Sequence, residues 1–137
     1  MKILVTGSNG FIGKRLAVAL AQKGHAVFGF DRQNNQNILD FEQVKKAIQG
    51  MDVVYHLAAS IHEDDLALFE TNVHGTKNVL EASAKSALKQ FIFLSTVGTM
   101  GNIQNTATEN TPFSPQTPYE KSKAQAEELT LSYQEVL

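Results

Sequence analysis

The sequence contains no cysteine, so disulfide bonds and thiolate metal sites are excluded. It also lacks any apolar run near the roughly 20 residues of a membrane-spanning helix, and its first apolar segment is too short for a signal peptide. An excess of basic residues is absent as well. The net charge is −2 and charges of both signs are interspersed, which excludes the basic surface of a nucleic-acid-binding protein. We therefore expect a cytoplasmic protein that binds neither nucleic acid nor membranes.

What the sequence does contain is a regular alternation of apolar patterns, with a hydrophobic content of 42% that suffices for one domain with a core. Short, continuous apolar runs, typical of strands buried on both faces, occur at residues 3–5, 26–30, 52–57 and 91–94. Apolar residues recur at helical spacing after Gly10, after Asp40, over residues 66–84 and from Tyr119 onward. This order predicts an α/β fold: a doubly wound parallel sheet of about five strands with helices on both faces.

A glycine-rich turn separates the first predicted strand from the first predicted helix. Gly7, Gly10 and Gly13 would allow a tight turn, close approach of a pyrophosphate to the backbone, and close packing of helix on strand. Helix N–H groups and the helix dipole favour an anion at that position. The turn therefore predicts a dinucleotide site, although a purely structural turn has the same composition. A P-loop is disfavoured because Ser8 and Arg15 replace residues that its signature requires.

An acidic residue ends the second predicted strand. Asp31 lies where a carboxylate accepts hydrogen bonds from the ribose hydroxyls of NAD and repels the additional phosphate of NADP. The neighbouring Arg32 could bind that phosphate instead, or could be a solvated loop charge. We expect NAD as the cofactor, with NADP as the alternative.

A tyrosine and a lysine lie four residues apart at the start of the last predicted helix. Tyr119 and Lys123 therefore share one helix face. A phenol with an ordinary pKa of about 10 is a poor base at neutral pH. A lysine cation and a positive nicotinamide ring nearby would lower that pKa, so that Tyr119 could exchange a proton with a substrate hydroxyl. Thr96, at the end of the preceding strand, is placed to donate a hydrogen bond to the substrate oxygen.

Five segments together resemble the extended short-chain dehydrogenase/reductase superfamily, in particular its NAD-dependent epimerase/dehydratase family. Residues 6–13 are similar to its TGxxGxxG opening, 52–59 to its DxVxHLAA strand and 72–82 to its NVxGTxNVLEA helix. Residues 95–101 are similar to the segment [ST][ST]xxVYG, and 119–123 to YxxxK. The resemblance runs through the chain in order. It implies that residues 1–137 form an NAD(P)-binding Rossmann domain.

The resemblance also implies roles for individual residues. The catalytic residues would be Thr96, Tyr119 as acid/base, and Lys123, which would also hold the nicotinamide ribose. Asn37 and Ile38 would contact the adenine. The cofactor-binding residues would be Gly7, Asn9, Gly10, Phe11, Ile12, Gly13, Asp31, Arg32, Asn37, Ile38, Leu57, Ala58, Ala59, Asn72, Leu94, Tyr119 and Lys123.

The sequence departs from the family pattern in three places. Met100 replaces the usual tyrosine of the YG segment, which leaves a substrate contact in doubt. The third strand is nearly absent between Asp31 and Asp40. The substrate-binding C-terminal region that the family adds is absent from this chain. In addition, residues 62–65 read His-Glu-Asp-Asp, which we interpret as a solvated helix start, with no metal site expected.

Three functions are compatible with these observations. The leading hypothesis is an NAD-dependent epimerase or dehydratase that acts on a nucleotide sugar through transient hydride transfer. The alternatives are an NADPH-dependent carbonyl reductase of the dihydroflavonol-reductase-like kind and a dinucleotide-binding module without turnover. The resemblance also implies a homodimer, formed through the helices over 66–84 and from Tyr119.

Overall fold

A computed structural model describes residues 1–62, 68–104 and 106–136 of the chain. The core of the fold is a parallel sheet in the order β2-β1-β3-β4. Its strands are β1 (Lys2–Thr6), β2 (Ala26–Phe30), β3 (Val53–His56) and β4 (Gln90–Phe93). The register places Thr6 opposite both Phe30 and His56, and His56 opposite Phe93, so all four strands end at the same edge. The expected parallel sheet is confirmed, with one strand at each of the four apolar runs.

In the described part of the chain, four α-helices connect and follow the strands. They are α1 (Phe11–Gln22), α2 (Phe41–Ile48), α3 (Thr76–Ala84) and α4 (Pro118–Ser132). Two single-turn 3₁₀ helices lie at Arg32–Asn34 and Val97–Met100, and a π-helical turn at Glu70–Gly75 leads into α3. The predicted helix over 66–84 therefore changes its winding before α3, and its first two residues lie outside the described ranges.

The two faces of the sheet have separate hydrophobic clusters. On one face Leu4 and Val54 pack with residues of α2 and α3, including Val44, Ile48 and Val79, all at most 3% exposed. On the other face Ile3, Val5 and Val53 pack against Leu20 of α1. Burial of each such side chain contributes about 1.5–3 kcal/mol, which fixes the helices against the strands. Helices thus cover both faces, and the architecture is the Rossmann fold.

The stretch between β2 and α2 confirms the expected loss of the third strand. Residues 31–40 are all described, and they form the short 3₁₀ turn and a second turn rather than a strand. Asp40 accepts a hydrogen bond from the backbone N–H of Gln43 and begins α2. Within the described ranges, none of the helices is both long enough and apolar enough to cross a membrane.

Candidate functional site

A cavity of about 330 Å³ opens at the carboxyl ends of β1, β2 and β3. This edge lies where β2 and β3 leave β1 on opposite sides, which is the position at which open parallel sheets bind ligands. Nine of the expected cofactor-binding residues line the cavity: Gly7, Gly10, Asp31, Arg32, Asn37, Ile38, Leu57, Ala58 and Ala59. They come from four separate segments of the chain, and the fold brings them together.

The glycine turn is as tight as its sequence indicates. Gly7 has a φ of +68°, and a side chain there would place its Cβ 2.8 Å from the backbone nitrogen of Ala58. At Gly13 the Cβ would lie 2.1 Å from the carbonyl oxygen of Gly7. No side chain caps the first turn of α1, which starts directly after Gly10. The turn therefore keeps the backbone close to the cavity and the helix close to the strand.

Asp31 connects the end of β2 to the glycine turn. Its Oδ2 accepts a hydrogen bond of 2.8 Å from the backbone N–H of Asn9, and its Oδ1 accepts one of 2.9 Å from Gln33. The side chain of Asn9 donates to Asn34 in the 3₁₀ turn at 3.1 Å. Asp31 thus shapes the turn as well as lining the cavity, a second role that its strand-end position did not reveal.

The part of the cavity lined by residues 37–39 is fixed by hydrogen bonds and packing from α3 and the π-helical turn that precedes it. The amide of Asn78 donates to the carbonyl oxygens of Ile38 and Leu39 at 3.0 and 3.1 Å. Gly75 makes room for Ile38, because a Cβ at Gly75 would lie 2.5 Å from Ile38 Cδ1. The side-chain oxygen of Asn37 accepts from the N–H of Leu39. Two residues of the NVxGTxNVLEA segment therefore position the expected adenine contacts, which the sequence showed only as a resemblance.

Lys123 is buried between α4 and β4. Its Nζ donates to the carbonyl oxygen of Leu94 at 2.7 Å and lies 4.1 Å from the centroid of the Phe93 ring. Burial lowers the pKa of Lys123 to about 8, and the negative charge of Glu127 offsets part of that shift. Glu127 in turn accepts a hydrogen bond from the Ser95 hydroxyl.

Tyr119 lies in the first turn of α4, and Thr96 precedes the 3₁₀ helix Val97–Met100. Partial burial raises the pKa of the Tyr119 phenol above its ordinary value of 10.0. The expected lowering of this pKa requires the positive nicotinamide ring as well as the lysine cation, so it stays a prediction for the chain with cofactor bound. Thr96 accepts a hydrogen bond from the N–H of Gly98 and caps the 3₁₀ helix that follows β4.

The remaining expected cofactor residues lie outside the lining of the cavity. Phe11 and Ile12 are 76% and 50% exposed at the start of α1, and Leu94 is 41% exposed beyond β4. Asn72 is 2% exposed. Its side chain binds Ser60 through two hydrogen bonds, an acceptor contact of 2.7 Å and a donor contact of 3.0 Å.

A buried polar group lies at the end of β3, behind the cavity, and the sequence did not indicate its hydrogen-bond partners. His56, 1% exposed, contacts the Thr6 hydroxyl through Nδ1 at 2.7 Å and the Thr76 hydroxyl through Nε2 at 2.9 Å. Burial and the nearby charge of Lys123 lower the pKa of His56 to about 3. A histidine within an otherwise apolar strand was the available signal, but its partners lie 50 and 20 residues away in the chain.

The described residues hold no group of three or more histidine, aspartate or glutamate side chains that could bind a metal ion. Three of the four residues in the segment 62–65 lie outside those ranges, so the interpretation of that segment stays a prediction.

The parallel sheet, the glycine turn and the acidic residue after β2 define a Rossmann domain of the dinucleotide-binding type. The family model of the NAD dependent epimerase/dehydratase family matches residues 3–136, and the chain belongs to this family.

Three similar proteins illustrate the match. An N-acetyl-alpha-D-glucosaminyl-diphospho-ditrans,octacis-undecaprenol 4-epimerase of Escherichia coli O157:H7 is 34% identical over 93% of this chain and 42% of its own length. A short-chain dehydrogenase/reductase superfamily protein from Agrobacterium tumefaciens with bound NAD superposes with a TM-score of 0.91 at 30% identity, covering 98% of this chain and 45% of the other. The UDP-glucose 4-epimerase of Thermus thermophilus in complex with NAD gives 0.88 at 31% identity, covering 98% and 51%. The chain therefore spans about half the length of the proteins that it resembles.

Proposed function

We propose that this chain binds NAD in the cavity at the carboxyl ends of β1, β2 and β3. The observation that carries the proposal is the position of Asp31, whose carboxylate lies at the end of β2 beside the glycine turn and lines the cavity. A carboxylate there would accept hydrogen bonds from the adenosine ribose. The pyrophosphate would lie at the start of α1, where backbone N–H groups and the helix dipole stabilise negative charge. Asn37 and Ile38 would contact the adenine.

We propose further that the chain is the cofactor-binding half of an NAD-dependent epimerase or dehydratase acting on a nucleotide sugar. When bound, the dinucleotide supplies hydride transfer. Tyr119 would hold or release a proton at its phenol oxygen, and Thr96 would donate a hydrogen bond to the substrate oxygen. Lys123 would contribute the positive charge that opposes the effect of burial on the tyrosine. The family membership and the order of the segments along the chain support this assignment.

The test of the cofactor site is calorimetric titration of the purified chain with NAD and NADP in parallel. We expect tighter binding of NAD, and a loss of at least about tenfold in affinity in Asp31→Asn, because hydrogen bonds to a charged group contribute about 1.5–3 kcal/mol. Asp40→Asn is the matched control, since Asp40 also accepts a backbone N–H but is not among the cavity residues. Equal weakening by both substitutions, or no binding of either dinucleotide, would contradict the proposal.

A carbonyl reductase that uses NADPH is the second candidate, and one observation favours it. Arg32 lines the same cavity next to Asp31, where a guanidinium would bind the additional phosphate of that cofactor. Tighter binding of NADP, weakened selectively by Arg32→Ala, would replace the first proposal with this one. A module that binds NAD without turnover predicts the same binding results and no activity with nucleotide sugars.

The homodimer and the cytoplasmic location stay predictions. Sedimentation equilibrium of the chain at micromolar concentration tests the first, and a monomer at that concentration would contradict it.

A further inference from the structure

A path of hydrogen bonds, joined at Asn72 through that residue's own covalent bonds, crosses the buried side of the proposed site. It begins at the Thr6 hydroxyl, which accepts from the backbone N–H groups of Leu57 and Ala58 at 3.2 and 3.1 Å. From Thr6 it passes through the two ring nitrogens of His56 to the Thr76 hydroxyl. The Thr76 hydroxyl donates to the carbonyl oxygen of Asn72 at 2.6 Å. The path thus leads from two residues that line the cavity to the segment that precedes α3.

The second half of the path leads to the helix of the tyrosine. The side-chain amide of Asn72 donates to the Ser122 hydroxyl at 2.9 Å, and that hydroxyl donates to the carbonyl oxygen of Tyr119 at 2.7 Å. The same amide group is paired with the backbone of Ser60, which also lines the cavity. Asn72 and Ser122 are at most 2% exposed, so water does not compete for these bonds.

Counting donors and acceptors assigns one direction to every bond around His56. The Thr6 oxygen already accepts two N–H groups, so its own hydrogen is directed to His56 Nδ1. The ring hydrogen then resides on Nε2 and is donated to Thr76, whose hydrogen goes to Asn72. A protonated ring would direct a second N–H at the Thr6 oxygen and leave the Thr6 hydrogen without an acceptor. The arrangement therefore selects a single tautomer of a neutral ring.

We propose that His56 is a positioning residue that couples occupation of the adenosine end of the cavity to the placement of the helix carrying Tyr119 and Lys123. This inference rests on the proposed NAD site. A ligand held against Leu57 and Ala58 restrains the amides bound to Thr6. The bonds from Thr6 through His56 to Thr76 each have one direction, and the Asn72 amide joins this path to both Ser60 and Ser122. Because the intermediate groups are buried and paired, displacement at one end leaves a polar group unsatisfied unless the other end moves with it.

Any nucleotide that binds the folded chain slows exchange of amides that open only by global unfolding, whether or not the network couples the two regions. The amides of Val5 and Val54, both fully buried in the sheet, report that global effect. The test therefore compares them with the amides of α4, using a ligand that cannot touch α4. Adenosine diphosphate is such a ligand, because it carries the adenosine and both phosphates but no nicotinamide ribose to reach Tyr119 or Lys123. The experiment is amide hydrogen exchange by NMR on the whole chain, with and without saturating adenosine diphosphate. We expect the nucleotide to slow exchange of the Lys123 and Ala124 amides by at least about fivefold more than it slows the Val5 and Val54 amides, the lower end of typical coupling between sites.

The path is interrupted by Thr76→Val, which keeps the shape of the side chain and removes its hydroxyl, with Thr76→Ser as the matched control. We expect the valine variant to bind adenosine diphosphate without slowing exchange in α4 more than in the Val5 and Val54 amides, and the serine variant to behave like the original chain. Ser122→Ala interrupts the path at its far end and should give the valine result, which covers the case that Thr76→Val fails to fold.

Two results would overturn the coupling. One is equal slowing of α4 relative to the Val5 and Val54 amides in Thr76→Val, or in Ser122→Ala, and in the original chain. The other is binding of adenosine diphosphate to the original chain with no more slowing in α4 than in those two amides. If neither adenosine diphosphate nor NAD binds, the proposed function itself fails and the coupling falls with it, so the two failures are distinguishable.

Discussion

Lys123 and Leu94 are joined by a hydrogen bond of 2.7 Å from the ammonium group to the backbone carbonyl, although Lys123 is 4% exposed. This bond ties the first turns of α4 to the end of β4. A buried ammonium group loses its hydration, and a single carbonyl together with the face of Phe93 restores only part of it. Burial of Lys123 therefore reduces the stability of the fold, while the hydrogen bond to Leu94 fixes the position of its ammonium group beside the end of β4.

Replacement of Lys123 by methionine should stabilise the chain at neutral pH. The pKa of Lys123 is about 8 in the folded chain and 10.5 in a solvated lysine, so unfolding takes up a proton between these values. Stability of the original chain should rise with pH across that window by about 1.4 kcal/mol per unit from this group, and Lys123→Met should lack the rise. Urea unfolding at pH 7, 8.5 and 10 measures both effects. The exposed Lys121→Met serves as control, and equal pH slopes for all three chains would contradict this account.

His56 should make the fold sensitive to acid. Its pKa is about 3 in the folded chain against 6.5 when solvated, so the unfolded chain binds one more proton between these values. Stability is therefore full above pH 6.5 and declines as the pH falls, by about 1.4 kcal/mol per unit from this ring. His56→Phe keeps the ring between Phe91 and Phe93 but removes its titration. We expect the stability of that variant to fall less steeply than that of the original chain between pH 6.5 and 4. The exposed His74→Phe is the control, and its stability should fall as steeply as that of the original chain. A ring that titrates near pH 6 by NMR would refute this prediction.

Alanine substitutions at Gly13 and Gly24 should distinguish the energetic cost of a steric clash from that of a strained backbone conformation. Alanine at Gly13 places its Cβ 2.1 Å from the Gly7 oxygen, so the glycine turn and α1 must move apart. We expect a loss of at least about 3 kcal/mol and no dinucleotide binding. Gly24 has a φ of +82° with nothing within 4 Å of a Cβ, so alanine there costs only the left-handed conformation, about 1–2 kcal/mol. Similar melting temperatures for the two variants would show that the turn is more adaptable than its geometry indicates.

The start of the tyrosine helix depends on a reciprocal cap. The Thr117 hydroxyl accepts from the N–H of Glu120, and the Glu120 carboxylate accepts from the N–H of Thr117. Thr117→Ala should cost about 1 kcal/mol and increase amide exchange around Tyr119, because the first turn loses a partner. Thr117→Ser should preserve both the stability of the chain and the rate of amide exchange around Tyr119. If the alanine variant exchanges at the original rate, the proline that follows the cap is sufficient to begin the helix.

Local patterns in the sequence were enough to predict where the strands lie and which residues at the strand ends line the cavity. The apolar runs mark all four strands, and Gly7 and Asp31 lie beside the same cavity because strand ends meet at one edge of a parallel sheet. The strand order and the register came from the structure, which contains four strands in its described residues where the sequence predicted about five.

The interior of the site could not be predicted in the same way. Whether a polar residue within an apolar segment is paired depends on what the fold brings opposite to it. The amide of Asn72 joins Ser60 and Ser122, and Ser122 lies 50 residues further along the chain, so the sequence pattern did not indicate this pairing. His56 shows the same dependence, since both of its partners come from other elements. The raised pKa of Tyr119 also depends on burial, which a spacing of four residues does not report.

The hydrogen bond from Asn9 to Asp31 has a consequence for any redesign of cofactor preference. Replacement of the acidic residue after the second strand with a small neutral one would remove repulsion of the additional phosphate of NADP. Here the same carboxylate also holds the glycine turn through Asn9 and begins the 3₁₀ turn through Gln33. In the proposed site, its removal would admit the phosphate and at the same time release the loop expected to receive the pyrophosphate. We therefore expect a change of cofactor preference in this chain to require a second substitution that restores a hydrogen-bond acceptor for the Asn9 backbone.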